Sequence, residues 1–177
     1  MLILDSGISK VAKETDSQAV ELTKILIKLM RLVKLCNNVL TMTKEGEKVA
    51  ANDELLMKTL MVILCCEFNK NYWDGFESED IGNVGGGFTL LLLHKYGSEK
   101  RLDSFYVDRY FRAFPKLSND LPPSEALSCY SIRTFDRLLL HLGLIEVEGE
   151  GYLAREKDII KTELFDKLIS VVPPRNM

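Results

Sequence analysis

Arg133 and Arg137 stand four residues apart in the run Ser131-Ile132-Arg133-Thr134-Phe135-Asp136-Arg137, so any helix that carries them presents both on one face. A guanidinium is planar, always charged and rich in N–H donors, which suits it to phosphate, carboxylate or a base edge. Arg109 and Arg112 join this pair as a candidate cationic surface. A second set, Lys24, Lys28 and Arg31, falls within about 60° on a wheel of 3.6 residues per turn, with Lys34 near its edge. Such a stripe is suited to tracking phosphates. The solvated face of an amphipathic helix is the commoner origin of such a stripe, because charges opposite an apolar face are the normal surface arrangement.

Other chemistries find less support. The glycine-rich run Gly82-Asn83-Val84-Gly85-Gly86-Gly87 invites a phosphate loop, but no Lys-Ser or Lys-Thr follows and no dinucleotide pattern surrounds it, so it reads as a hinge. His94 follows four leucines, with no Ser, Cys or carboxylate at a spacing that implies a triad. The carboxylates between Glu77 and Asp80 read as an acidic, solvated loop. Cys36, Cys65, Cys66 and Cys129 lack the paired spacing of a zinc site, and His94 and His141 stand alone. Reduced thiols are expected, with no metal, no cofactor and no enzyme activity.

At 177 residues, with 46% hydrophobic and 28% charged side chains, the chain has the composition of one large or two small globular domains. Its apolar runs fall short of the ~20 residues a membrane helix needs. The opening Met1-Leu2-Ile3-Leu4-Asp5 lacks the features of a secretory signal, so a cytoplasmic, non-membrane protein is expected. The net charge of -3 weighs against simple attraction to nucleic acid. Charge is uneven: residues 51 to 100 hold 4 Lys+Arg against 8 Asp+Glu, whereas residues 1 to 50 hold 8 against 6, so the middle is acidic and the N-terminal part is not.

Apolar spacing positions these groups. Val20, Leu22, Ile25, Leu26, Leu29, Met30 and Val33 predict a helix from Ser17 to Leu35, followed by a turn at Asn37-Asn38 and a strand over Val39 to Thr43. Asn52 or Asp53 opens a second helix, expected to be centrally buried and to run to about Tyr72 against the first. A boundary is expected near residue 80, dividing the chain into residues 1-80 and 81-177. Beyond it the spacing predicts helices over Phe88 to Tyr96, ended by a left-handed Gly97, and from Asp103 or Ser104 to Phe114, stopped by Pro115. Leu121 to Ser124 reads as a loop. A helix then runs from Tyr130 or Ser131 to Leu142, ended by Gly143, and strands follow over Leu144 to Val147 and Tyr152 to Arg155. Thr162 caps a final helix through Ile169. The aromatic residues Phe105, Tyr106, Tyr110, Phe111 and Phe114 recur at helical spacing and read as core.

The order of three helices and a two-stranded hairpin, with Ser131-Ile-Arg-Thr-Phe-Asp-Arg-Leu-Leu-Leu-His-Leu-Gly-Leu-Ile-Glu at the third helix and wing, resembles the winged helix-turn-helix superfamily over about half the chain. A weaker, partial resemblance lies in the T-x-x-G-x-x-V/A run after Met42, where less helix precedes than a whole winged helix needs, so this unit is expected to be partial or part of a longer parent. The resemblance implies a mainly α fold with a small antiparallel β wing. It further implies a DNA-binding accessory or transcriptional regulatory protein, with Ser131, Arg133, Thr134 and Arg137 at the leading end of a helix in the major groove and Lys24, Lys28 and Arg31 as further contacts. A homodimer is one way to lengthen the site. Glu146, Glu148 and Glu150 on the wing would meet phosphate with like charge, which favours the alternative of a protein-protein interaction module of the same shape that binds no DNA.

Overall fold

The computed structural model describes residues 18–72, 74–148 and 156–172, and the chain divides into two units, Met1–Phe68 and Asn69–Met177. Each combines helices with a small antiparallel sheet. The division falls before the acidic connector, which belongs to the second unit.

In the first unit α1 spans Gln18–Leu29 and stops short of the predicted Leu35. Arg31 takes a left-handed conformation, with φ 56°. Leu32 N donates to Ile27 O and Arg31 N to Lys28 O, both at 2.9 Å, which satisfies two of the carbonyls at the helix end. The apolar residues beyond become β1 (Val33–Cys36), paired with β2 (Val39–Met42). Asn37 and Asn38 turn the hairpin with φ 50° and 60°, the conformation a two-residue turn demands and asparagine tolerates.

The Thr43-x-x-Gly46 run opens a short helix, α2 (Lys44–Ala50). Thr43 Oγ1 accepts from Gly46 N at 2.8 Å and donates to Arg31 O at 3.0 Å, tying the helix start to the end of α1. A Cβ on Gly46 would lie 2.1 Å from Leu32 O, so the glycine permits a backbone contact no larger residue could make. Asn52 caps α3 (Asp53–Cys66) as expected, accepting from Leu55 N at 3.0 Å. α1 packs on α3, also as expected. The predicted central burial of α3 does not occur. Ile63 and Leu64 are buried, but Val62 is 58% exposed.

The second unit runs α4 (Gly86–Tyr96), β3 (Arg101–Leu102), α5 (Asp103–Ala113), a 3-10 turn (Pro115–Asn119), α6 (Pro123–Ser131), a π-helical continuation (Ile132–Leu139), β4 (Ile145–Glu148), β5 (Asp158–Lys161) and α7 (Glu163–Leu168). The sheet order is β3-β5-β4, antiparallel throughout, with Ile159 opposite both Arg101 and Val147. Tyr152 to Arg155, the expected return strand, and Glu150 lie outside the described residues; the described partner of β4 is β5.

Three sequence expectations need revision in this unit. Gly97 ends α4 with φ -78°, not left-handed; a Cβ there would lie 2.6 Å from Leu93 O and 3.3 Å from Lys161 Cβ, so close packing selects the glycine. The third helix opens at Pro123 rather than at Tyr130 or Ser131, because proline at the first helical position has the right φ and forfeits only an N–H the helix does not use. The glycine-rich run is no free hinge. Gly82 N donates to Tyr110 Oη at 3.1 Å, Tyr110 Oη donates to Val84 O at 2.8 Å, and Gly86 and Gly87 form the first turn of α4.

Tyr106, Tyr110, Tyr130 and Phe135 form the centre of this unit, all fully buried, with the Tyr110 and Tyr130 rings 4.3 Å apart. Around them lie Ile81, Leu93, Leu144, Ile145, Ile159 and Phe165, also without exposure beyond 1%. Burial pushes the Tyr106 and Tyr110 phenols up to about 12. Tyr130 Oη meets Thr89 Oγ1 at 2.7 Å. Aromatic packing therefore fixes α5 against α6, and the Tyr130–Thr89 hydroxyl pair ties α6 to α4.

Candidate functional site

The sequence points first to the helix formed by α6 and its π-helical continuation. Its two arginines do share a side, and that side is covered by the chain itself. Arg133 is fully buried, with its side chain in an ion pair with Asp74. Nη2 donates to Asp74 Oδ1 at 3.0 Å, and Nη1 donates to Ser78 O at 3.0 Å and to Ile81 O at 2.7 Å. Arg137 Nη1 donates to Tyr72 O at 2.7 Å. The guanidinium groups thus bind the backbone carbonyls of Tyr72, Ser78 and Ile81 in the segment that leads to α4.

The remaining residues of that predicted contact set are also interior. Ser131 Oγ donates to Asp103 Oδ2 at 2.7 Å in a buried contact, joining the third helix to the start of α5. Thr134 is 5% exposed, and its Oγ1 has no hydrogen-bond partner among the described residues. Asp136, beside them, is buried and paired with buried Lys157. Burial pushes the Asp136 carboxyl above its ordinary range, opposed by the hydrogen bond and charge of Lys157. Ser131, Arg133 and Thr134 are therefore structural here rather than displayed at an exposed leading end. The cause is long-range: Asp74 and Asp103 supply carboxylates from other elements.

On α1, Lys28 is exposed and Lys24 half-buried, whereas Arg31 lies past the helix end in its left-handed turn and leaves the predicted stripe. Glu146 and Glu148 face outward on β4 as expected, and Glu148 pairs with Lys100 at 2.5 Å. That bond raises the pKa of Lys100 further, with the charges of Asp158 and Glu146 adding to it against a smaller loss of hydration.

A different cluster emerges between the end of α4 and the face of α5. The Tyr96 and Phe105 rings meet edge to face at 5.3 Å. The Arg109 guanidinium carbon lies 3.4 Å from the centre of the Phe105 ring, and that of Arg101 lies 4.7 Å from it. Lys95 Nζ stands 5.1 Å from the centre of Tyr96. Arg109 Nη1 also donates to Phe105 O at 3.0 Å, which fixes the guanidinium on the ring. Hydrogen bonding to Lys95 holds the Tyr96 phenol below its usual pKa, with help from the charges of Lys95 and Arg109. Sequence reading isolated Arg109 but assigned Phe105 to the core. The available signal was the i, i+4 pair Phe105–Arg109, which puts a cation over an aromatic ring on one helix.

Among the described residues no group of three His, Cys, Asp or Glu is placed to hold a metal ion, and no helix is long and apolar enough to cross a membrane. No known protein family model, curated protein or solved structure matches the chain.

Proposed function

We propose that the second unit is a winged-helix-like domain that binds another protein and does not read duplex DNA through its third helix. The element order and the β3-β5-β4 sheet support the winged-helix part of this reading. The observation that carries the rest is the burial of Arg133. A guanidinium committed to Asp74 and two backbone carbonyls is not available to a phosphate or a guanine edge without first breaking a buried ion pair. The outward carboxylates of Glu146 and Glu148 add repulsion where a wing would approach the duplex.

Titration of the full chain with random-sequence duplex DNA across a salt series tests the proposal. The expected result is no salt-dependent complex. Binding that weakens steeply with salt would overturn it and favour a DNA-binding regulatory protein, with Lys24 and Lys28 of α1 as its first contacts to substitute.

A further inference from the structure

We propose that Lys95, Arg101 and Arg109, set on the rings of Tyr96 and Phe105, form a docking surface for a short acidic peptide segment of a partner protein. This rests on the protein-interaction reading above and names the partner's chemistry. Three cations converge on two aromatic rings, and one carboxylate, Glu99, meets them, 2.8 Å from Arg101. Among the described residues no carboxylate pairs with Lys95 or Arg109. The ring faces supply part of the attraction that brings the cations together, and the excess positive charge is left for a ligand.

The Arg109 guanidinium is also already ordered. It approaches the Phe105 ring centre at 3.4 Å, donates to Phe105 O and hydrogen-bonds the Tyr96 phenol, and a guanidinium with five N–H donors still has donors for an incoming anion. A ligand therefore meets a side chain whose rotamer freedom is already restricted, which lowers the cost of binding. Arg112, exposed one turn further along α5, continues the positive strip.

The surroundings select carboxylates on a short segment over a nucleic-acid strand. Glu99 lies within the cluster. Glu146, Glu148 and Asp158 surround the neighbouring Lys100, so a continuous run of phosphates would leave the patch into like charge. A peptide with two or three carboxylates engages the cations and ends there, the mode by which arginine clusters recognise acidic motifs. Paired guanidinium–carboxylate hydrogen bonds would supply orientation as well as attraction.

The test is fluorescence anisotropy of the full chain with a labelled decapeptide of mixed Asp and Glu, with its Asn/Gln counterpart, and with a single-stranded oligonucleotide of equal charge. Saturable binding of the acidic peptide is expected, weakening with salt, with no binding of the neutral peptide and weaker binding of the oligonucleotide. Arg101→Gln with Arg109→Gln should weaken the peptide complex about tenfold or more, the loss of two charge-assisted contacts. Lys95→Glu alters an exposed side chain, keeps the fold independent of the result, and should weaken the same complex. Absence of peptide binding, retention of it in both variants, or tighter binding of the oligonucleotide would each overturn the proposal. A salt-dependent duplex complex indifferent to these variants would instead overturn the protein-interaction reading, so the two failures are distinguishable.

Discussion

The two units spend their apolar residues differently. In the second, five aromatic side chains and the aliphatic ones around them are fully buried, and even the charged groups Arg133 and Lys157 are enclosed with carboxylate partners. In the first, the buried apolar residues of the described chain are Leu32, Val49, Ile63 and Leu64, while Leu35 and Val39 are each 62% exposed and Met42 is 46% exposed. Leu35, Leu40, Val33 and Met42 pair across the β1–β2 hairpin and so share one face, leaving an apolar surface on a two-stranded sheet. A hairpin alone has little independent stability and depends on what it packs against. The contrast teaches that the second unit's architecture is fixed by long-range burial, whereas the first is held by local devices: a left-handed Arg31, a Thr43 cap and a glycine contact at position 46.

The largest expected effect comes from breaking the second unit's enclosed ion pair. Arg133→Ala would leave Asp74 buried without its cation and free Ser78 O and Ile81 O from their donor. A loss of roughly 3–5 kcal/mol is expected, because an unpaired buried charge costs more than the pair contributed. Urea denaturation with a probe in each unit would read it. The comparison is sharpened if adding Asp74→Asn restores part of the loss, as removal of the stranded charge requires. Equal loss in the single and double variants would place the effect in packing rather than charge.

A smaller effect is expected in the first unit from Gly46→Ala. The new methyl would meet Leu32 O at 2.1 Å, and since that atom is backbone, α2 must shift away from the turn that follows α1. Overpacking of this kind costs about 1–3 kcal/mol. Hydrogen exchange should show lost protection in α2 and α3 with unchanged protection in α5 and α6. Loss spread evenly over both units would break the contrast between them.

The same contrast explains what the sequence could disclose. Local signals carried their positions: Asn52 and Thr162 cap helices, Asn37-Asn38 turns a hairpin and a left-handed Gly143 closes the turn after the third helix, which itself ends at Leu139 rather than Leu142, because each acts on backbone groups within a few residues. The mainly helical character with small antiparallel sheets was legible for the same reason. Arg133 was not, because its nearest carboxylate, Asp74, is 59 residues away and nothing in the helical run betrays it. The helix wheel misplaced Arg31 because a single left-handed residue ends the wheel. Phe105 was assigned to the core on spacing, although the structure leaves it half-buried beneath two guanidinium groups.

Thiol chemistry compares the two units in one experiment without altering the chain. Cys129 is fully buried beside the aromatic core, and burial pushes its thiol from 9.0 to about 11, against a smaller opposing pull from Arg133. The reacting species is the thiolate, so Cys129 is protected twice, by inaccessibility and by its proton. Cys36 and Cys66 of the first unit are exposed. At pH 8 a thiol reagent should therefore label Cys36 and Cys66 quickly and Cys129 only as the second unit opens. The sign of the pH effect follows from the raised value: in the window between 9.0 and about 11 the unfolded thiol ionises while the folded one keeps its proton. The contribution of this thiol to stability is thus present below the window and lost as pH rises through it. Labelling of Cys129 should speed up across that range more steeply than labelling of Cys36, as read by mass spectrometry of quenched samples. Rapid labelling of Cys129 at pH 8, at the rate of Cys36, would mean that the second unit opens as readily as the first and would remove the difference between them.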